Sequence, residues 1–117
     1  MSNKYDVAVV GLGTAGAIAL IAAARLGLSA IGIERLNGMG GTGTVGNIKG
    51  YYFGSHGGLY EEINKKAESV RASNQVAPNI DAKLYVLERE AVLAGAQIQY
   101  ETVVCDVSFY QTVKRVK

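Results

Sequence analysis

Six residues, Gly11-Leu12-Gly13-Thr14-Ala15-Gly16, separate a short apolar run from an alanine-rich stretch. Glycine turns are common, so the triplet gains its force from what flanks it. Before them, Tyr5–Val10 is β-favouring and apolar on both faces, which predicts a central parallel strand covered on both sides. After them, Thr14–Leu26 is rich in Ala, Leu and Ile and runs into Gly27, which predicts a helix with a glycine stop. Ala30–Ile33 predicts a second strand, with Glu34 at its end. Tyr5 to Glu34 is therefore one βαβ unit of 30 residues, and the fold class is α/β with a parallel sheet.

Each member of the motif has a physical task. Gly11 permits the tight strand-to-helix turn, Gly13 leaves room for a pyrophosphate to approach the backbone, and Gly16 lets helix and strand pack closely. The helix N-terminus offers unpaired N–H groups and a partial positive charge to phosphates. Glu34 lies 23 residues after Gly11, near the spacing at which a carboxylate accepts from a ribose diol. A carboxylate there repels a 2′-phosphate, which disfavours NADP, and Arg35 lies over the adenosine or in solvent. The plain alternative is a strand–turn–helix whose glycines serve packing alone.

Glycine makes up 15 of the 117 residues, about twice the usual share, and nine of them fall between Gly38 and Gly58. Gly38-Met39-Gly40-Gly41-Thr42-Gly43-Thr44-Val45-Gly46 is either a flexible linker or a ligand loop. Ordering nine glycines costs about 5–9 kcal/mol, comparable to the stability of a whole domain. Residues 36–58 are thus expected to be mobile unless a ligand holds them. Consecutive N–H groups beside the Thr42 and Thr44 hydroxyls suit phosphate or flavin oxygens.

Other classes of function are excluded by what the chain lacks. A net charge of +2 with no basic stripe does not fit an obligate nucleic-acid binder. A lone cysteine, Cys105, and a lone histidine, His56, leave no disulfide and no multi-cysteine or multi-histidine metal site. Val7–Ala24 carries no charge over 18 residues, but glycines interrupt it and Asp6 heads it, so a buried strand and helix are expected rather than a membrane span. The cytoplasm is the default compartment.

Further along, Leu59, Ile63, Ala67 and Val70 share one face of a helix over about 59–72. Asn79 or Asp81 caps another over about 81–94, with Leu84, Leu87, Ala91 and Ala94 in one stripe. Gln97–Glu101 predicts a third strand. Thr102–Tyr110 alternates, which predicts a half-buried antiparallel strand opening a β-meander, with Cys105 on its buried side. Lys114–Lys117 reads as a solvated turn.

Tyr5–Glu34 resembles the FAD-binding βαβ unit of flavoprotein oxidoreductases of the glutathione-reductase structural type. Glu34-Arg35 followed by Gly40-Gly41-Thr42-Gly43-Thr44 looks like the FAD-dependent oxidoreductase family, which includes succinate dehydrogenase-like flavoenzymes. Ala94 to Val107 resembles the segment carrying that family's third strand. The resemblance implies a Rossmann-like FAD/NAD(P)-binding domain whose cofactor is FAD. It implies that Gly11, Gly13 and Gly16 hold the pyrophosphate, with Thr14 and Ala15 at the helix start, and that Glu34 binds the adenosine ribose. Gly40, Gly41, Thr42, Gly43 and Thr44 would line the pyrophosphate and reach toward the flavin, and the Val104 backbone would meet adenine. Relatives also carry a later Gly-Asp motif and a substrate domain, neither of which is in these 117 residues.

The expected function is therefore to hold the ADP moiety of FAD, as the N-terminal part of an oxidoreductase acting on a small-molecule substrate. The remainder of the polypeptide, or a second subunit, would complete the site. An NAD-binding dehydrogenase domain and a non-catalytic module are the alternatives. No catalytic acid or base is identified. His56 is either a solvated loop histidine or, as in some relatives, a flavin linkage point, and Tyr51 and Tyr52 either anchor the loop or stack on a ring.

Overall fold

The computed structural model describes residues 3–48, 54, 57–71 and 79–109. The elements run β1 (Val7–Val10), α1 (Thr14–Arg25), β2 (Ala30–Ile33), a 3-10 turn at Gly41–Gly43, α2 (Gly58–Val70), α3 (Ile80–Leu93) and β3 (Gln97–Gln99). The strands form a parallel sheet in the order β1-β2-β3, with Val7 paired to Ala30 and Ile31 to Gln97. This is the Rossmann-like α/β arrangement the βαβ pattern predicts.

Strand alternation puts Val7, Val9, Ala30, Gly32 and Ile98 on one face of the sheet, and α1 covers that face. Close approach there depends on Gly32, where a Cβ would come within 2.6 Å of Leu20 and 2.8 Å of Leu12. Leu12, Leu20, Ile21 and Met39 are fully enclosed, and Ile63, Val86, Leu87 and Ala91 bring α2 and α3 onto the same core. Asn79 is the cap of α3, its side-chain oxygen accepting from the Ala82 N–H at 2.7 Å. Glu90, almost fully buried on α3, joins the helices by pairing with Arg25 at 3.1 Å, Lys66 at 3.0 Å and Arg89 at 3.3 Å.

Four expectations need correction. The opposite face of the sheet, with Ala8, Val10, Ile31 and Ile33, carries no covering layer among the described residues, and Val10 is 60% exposed. β1 is therefore covered on one side only, because its apolar second face has no partner element here. Residues 102–109 make no sheet ladder, so the half-buried antiparallel strand is not formed; alternation makes a strand only where a neighbour accepts its hydrogen bonds. Cys105 is exposed for the same reason. On α2, Val70 is partly exposed at the last turn, whereas Ile63 and Ala67 are buried as expected. His56, Tyr51, Tyr52 and Lys114–Lys117 lie outside the described residues.

Candidate functional site

The mouth between β1 and α1 is built by glycines with different tasks. Gly11 has φ +85°, a conformation L side chains rarely adopt, and its N–H donates to the Ile33 carbonyl at 2.8 Å. At Gly16 a Cβ would stand 1.9 Å from the Gly11 carbonyl oxygen, so helix and strand touch there. At Gly13 a Cβ would meet nothing within 4 Å, and the space above the turn is open. Gly13 is also the N-cap of α1 and supplies no side-chain cap, which leaves the first-turn N–H groups facing that space. Thr14 and Ala15, at the helix start, are exposed.

The second glycine cluster closes the other side of the mouth. Gly40, at φ +103°, donates its N–H to the Leu12 carbonyl at 2.7 Å. The Thr14 hydroxyl donates back to the Gly40 carbonyl at 3.3 Å. A Cβ on Gly41 would lie 2.9 Å from Gly13 Cα, so the two glycine turns are in backbone contact. Thr44 is buried, and its hydroxyl donates to the Met39 carbonyl at 2.7 Å, inside the loop rather than into the mouth. Thr42 is exposed. The expectation of mobility without a ligand counted every glycine as unsupported. In residues 36–48 the chain's own bonds from Leu12, Thr14 and Thr44 supply support that composition alone does not reveal.

Glu34 is 8% exposed, and its carboxylate ties the site together. One oxygen accepts the Leu12 N–H at 2.7 Å and the other the Leu36 N–H at 3.0 Å. A carboxylate has about four lone-pair positions, so acceptor capacity remains for a diol. The structural duty toward Leu12 and Leu36 was invisible in the sequence, because it depends on how the loop folds back. Arg35 is exposed beside it. The Thr102 N–H donates to the Glu34 carbonyl at 3.1 Å and the Glu101 N–H to the Leu36 carbonyl at 3.2 Å, which brings the segment containing Val104 alongside Glu34.

Two residues escaped the sequence reading. Tyr100 donates its O–H to Glu88 at 3.1 Å; burial first, then the Glu88 bond and the nearby Glu34 charge, push its phenol upward. Lys83 on α3 sits half-buried over the Tyr60 ring, 5.3 Å from its centroid, and burial lowers its ammonium below the usual lysine range. Neither carries a motif. Among the described residues, no group of three or more His, Cys, Asp or Glu is placed to hold a metal ion. No helix among them is long and apolar enough to cross a membrane.

The family model described as FAD dependent oxidoreductase matches residues 6–117. The chain belongs to that family. Its cofactor is FAD. Among curated proteins it is similar to the tRNA uridine 5-carboxymethylaminomethyl modification enzyme MnmG of Myxococcus xanthus (strain DK1622), with 32% identity over 107 residues, which cover 83% of this chain and 17% of that protein. Among solved structures it is similar to the crystal structure of Thermovibrio ammonificans THI4, with a TM-score of 0.55 and 20% identity over 82% of this chain and 38% of that one. The likeness to THI4 concerns the fold. The chain thus spans less than half the length of each of these two proteins.

Proposed function

We propose that this chain holds the ADP moiety of FAD in the mouth between its two glycine turns. The observation that carries the proposal is the open space at Gly13, directly at an α1 N-terminus without a side-chain cap. In this reading the backbone at Gly11, Gly13, Thr14 and Ala15 receives the diphosphate, assisted by the helix N-terminus. Gly40, Gly41, Thr42 and Gly43 form the opposite wall, and Thr44 keeps that wall in shape through its bond to Met39. Glu34 accepts from the adenosine ribose with the lone pairs left after Leu12 and Leu36. Arg35 lies outside over the adenosine, and the Val104 backbone borders the adenine.

FAD supplies an acceptor for a hydride or an electron pair, and the residues of this chain bind and orient it. Gly16 and Gly32 press α1 onto the sheet and so fix the height of the helix N-terminus. Glu34 fixes the two loops with its backbone bonds. The remainder of the polypeptide, or a second subunit, provides the flavin-ring environment, the small-molecule substrate site and a cover for the apolar sheet face at Val10 and Ile31. A cytoplasmic setting goes with this reading.

The test is an absorbance scan of the protein purified from its native polypeptide or complex. Yellow protein releasing FAD on denaturation is the expected result. Colourless protein that takes up NADH but no added FAD would refute the assignment.

A further inference from the structure

A second cavity adjoins the proposed diphosphate mouth on the far side of the glycine loop, sharing Gly43 with its wall. It has a volume of about 210 Å³, and Gly43, Tyr60, Asn64, Glu68, Asn79 and Lys83 are among its lining residues. The Gly41–Gly43 turn, α2 and the first turn of α3 meet there. Lys83 is its cation. All ten Asp and Glu side chains of the chain are in the described residues, and none of them forms an ion pair with Lys83. Glu68, the carboxylate on the cavity wall, is held by Arg71 at 2.7 Å. Asp81, in the same first turn as the cavity edge, is exposed.

An ammonium in this position loses hydration without pairing with a carboxylate, and among the described residues it receives the Tyr60 ring face. It also stands in the N-terminal part of α3, where the helix dipole disfavours a cation. The α3 N-terminus itself is capped by Asn79 and carries Asp81 in its first turn, so the charge left over at this cavity is that of Lys83, with which no carboxylate of the described residues pairs. Gly43 contributes the space: a Cβ there would lie 3.2 Å from Lys83 Nζ. The neutral amides of Asn64 and Asn79 add donors, since Asn79 uses its oxygen on Ala82 and keeps its NH₂.

We infer that this cavity is an oxyanion site in which Lys83 is the cationic contact to a phosphoryl group. Two sources share that chemistry: the diphosphate of FAD, approaching Gly43 from the loop side, and a phosphorylated small molecule bound separately. The inference does not depend on where FAD's adenosine lies.

The probe is inorganic pyrophosphate, titrated by calorimetry into the full polypeptide at low salt, with and without FAD bound. Lys83→Met keeps an unbranched side chain one atom shorter and removes the charge; Lys83→Arg keeps the charge. Pyrophosphate affinity is expected to fall at least tenfold in Lys83→Met and to be largely retained in Lys83→Arg. If FAD displaces pyrophosphate and Lys83→Met weakens FAD equally, the oxyanion is the cofactor's own. If pyrophosphate still binds the FAD-loaded protein through Lys83, the ligand is a separate phosphorylated molecule. Lys83-dependent pyrophosphate binding in a protein that takes up no FAD would leave this site standing while the proposed function fell. Equal pyrophosphate affinity in the parent and Lys83→Met would overturn the inference. Melting curves verify folding, and Lys83→Gln replaces the methionine variant if that one does not fold.

Discussion

Gly13 and Gly16 are three residues apart in one motif, yet opposite consequences are expected when each becomes alanine. At Gly16 the new methyl would stand 1.9 Å from the Gly11 carbonyl oxygen, where ordinary contact begins near 3.4 Å. Neither partner is a flexible side chain, so α1 must lift off β1 by about 1.5 Å, and Leu20 and Ile21 lose their fit against the sheet. Overpacking of this kind costs about 2–3 kcal/mol, which for a domain of this size lowers Tm by roughly 8–12 °C. At Gly13 the backbone has φ −71° and ψ −158°, accessible to alanine, and the methyl meets nothing. Removing a glycine from the unfolded ensemble there is worth about 0.4–1 kcal/mol in favour of folding, which the poorer N-cap character of alanine offsets, so stability should stay close to the parent's. The same methyl stands where the phosphates are proposed to approach, so FAD affinity is expected to fall at least tenfold, about 1.4 kcal/mol. Thermal unfolding of both variants, with FAD titration by flavin fluorescence, measures the two effects. Undiminished FAD binding by Gly13→Ala would refute the placement of the diphosphate. A Gly16→Ala protein that melts like the parent would refute the packing argument.

Three further outcomes are expected. Glu34→Gln presents an NH₂ to one of the Leu12 and Leu36 donors, so chemical denaturation without FAD should find it less stable by about 1–3 kcal/mol; unchanged stability would mean the carboxylate does not brace the loop. Acid should destabilise the helix layer. The Arg25 hydrogen bond, then that of Lys66, lowers Glu62 to about 2, and Glu90 is also lowered because bonds from Lys66, Arg89 and Arg25 outweigh its burial. Both groups have folded values below their unfolded ones, so their contribution is complete above about pH 4.5 and is lost as pH falls toward 2. Tm should decline over that window, and the decline should flatten in Arg25→Gln; an identical pH profile in the variant would contradict the assignment. Cys105 should react stoichiometrically with a thiol reagent under native conditions, since it is exposed; protection until unfolding would restore the buried strand that alternation predicted.

The local elements were legible because each is written within a few residues of itself. The order βαβ, the glycine stop after α1, the Asn79 cap and the buried pair Ile63 and Ala67 follow from periodicity and capping chemistry that need no distant partner. The strand expected at 102–110 failed for the converse reason. Alternation says that one face could be buried, while a strand also needs a neighbour's backbone. Nothing in the sequence distinguishes Glu90, and only the convergence of Arg25, Lys66 and Arg89 from three helices makes it a buried hub.

The candidate site divides in the same way. The amino-acid sequence by itself determined that a strand, a glycine turn, a helix and an acidic residue follow one another at cofactor-binding spacing, since backbone freedom at Gly11 and the carboxyl group of Glu34 are properties of those residues wherever they stand. Only the tertiary structure decided that Gly40 docks on Leu12, that Glu34 braces both loops, and that Lys83 reaches Gly43 from another helix. Apart from the local Leu36 bond, those contacts join residues 22 to 40 positions apart, and chain closure over such distances depends on how the whole core packs rather than on any local preference.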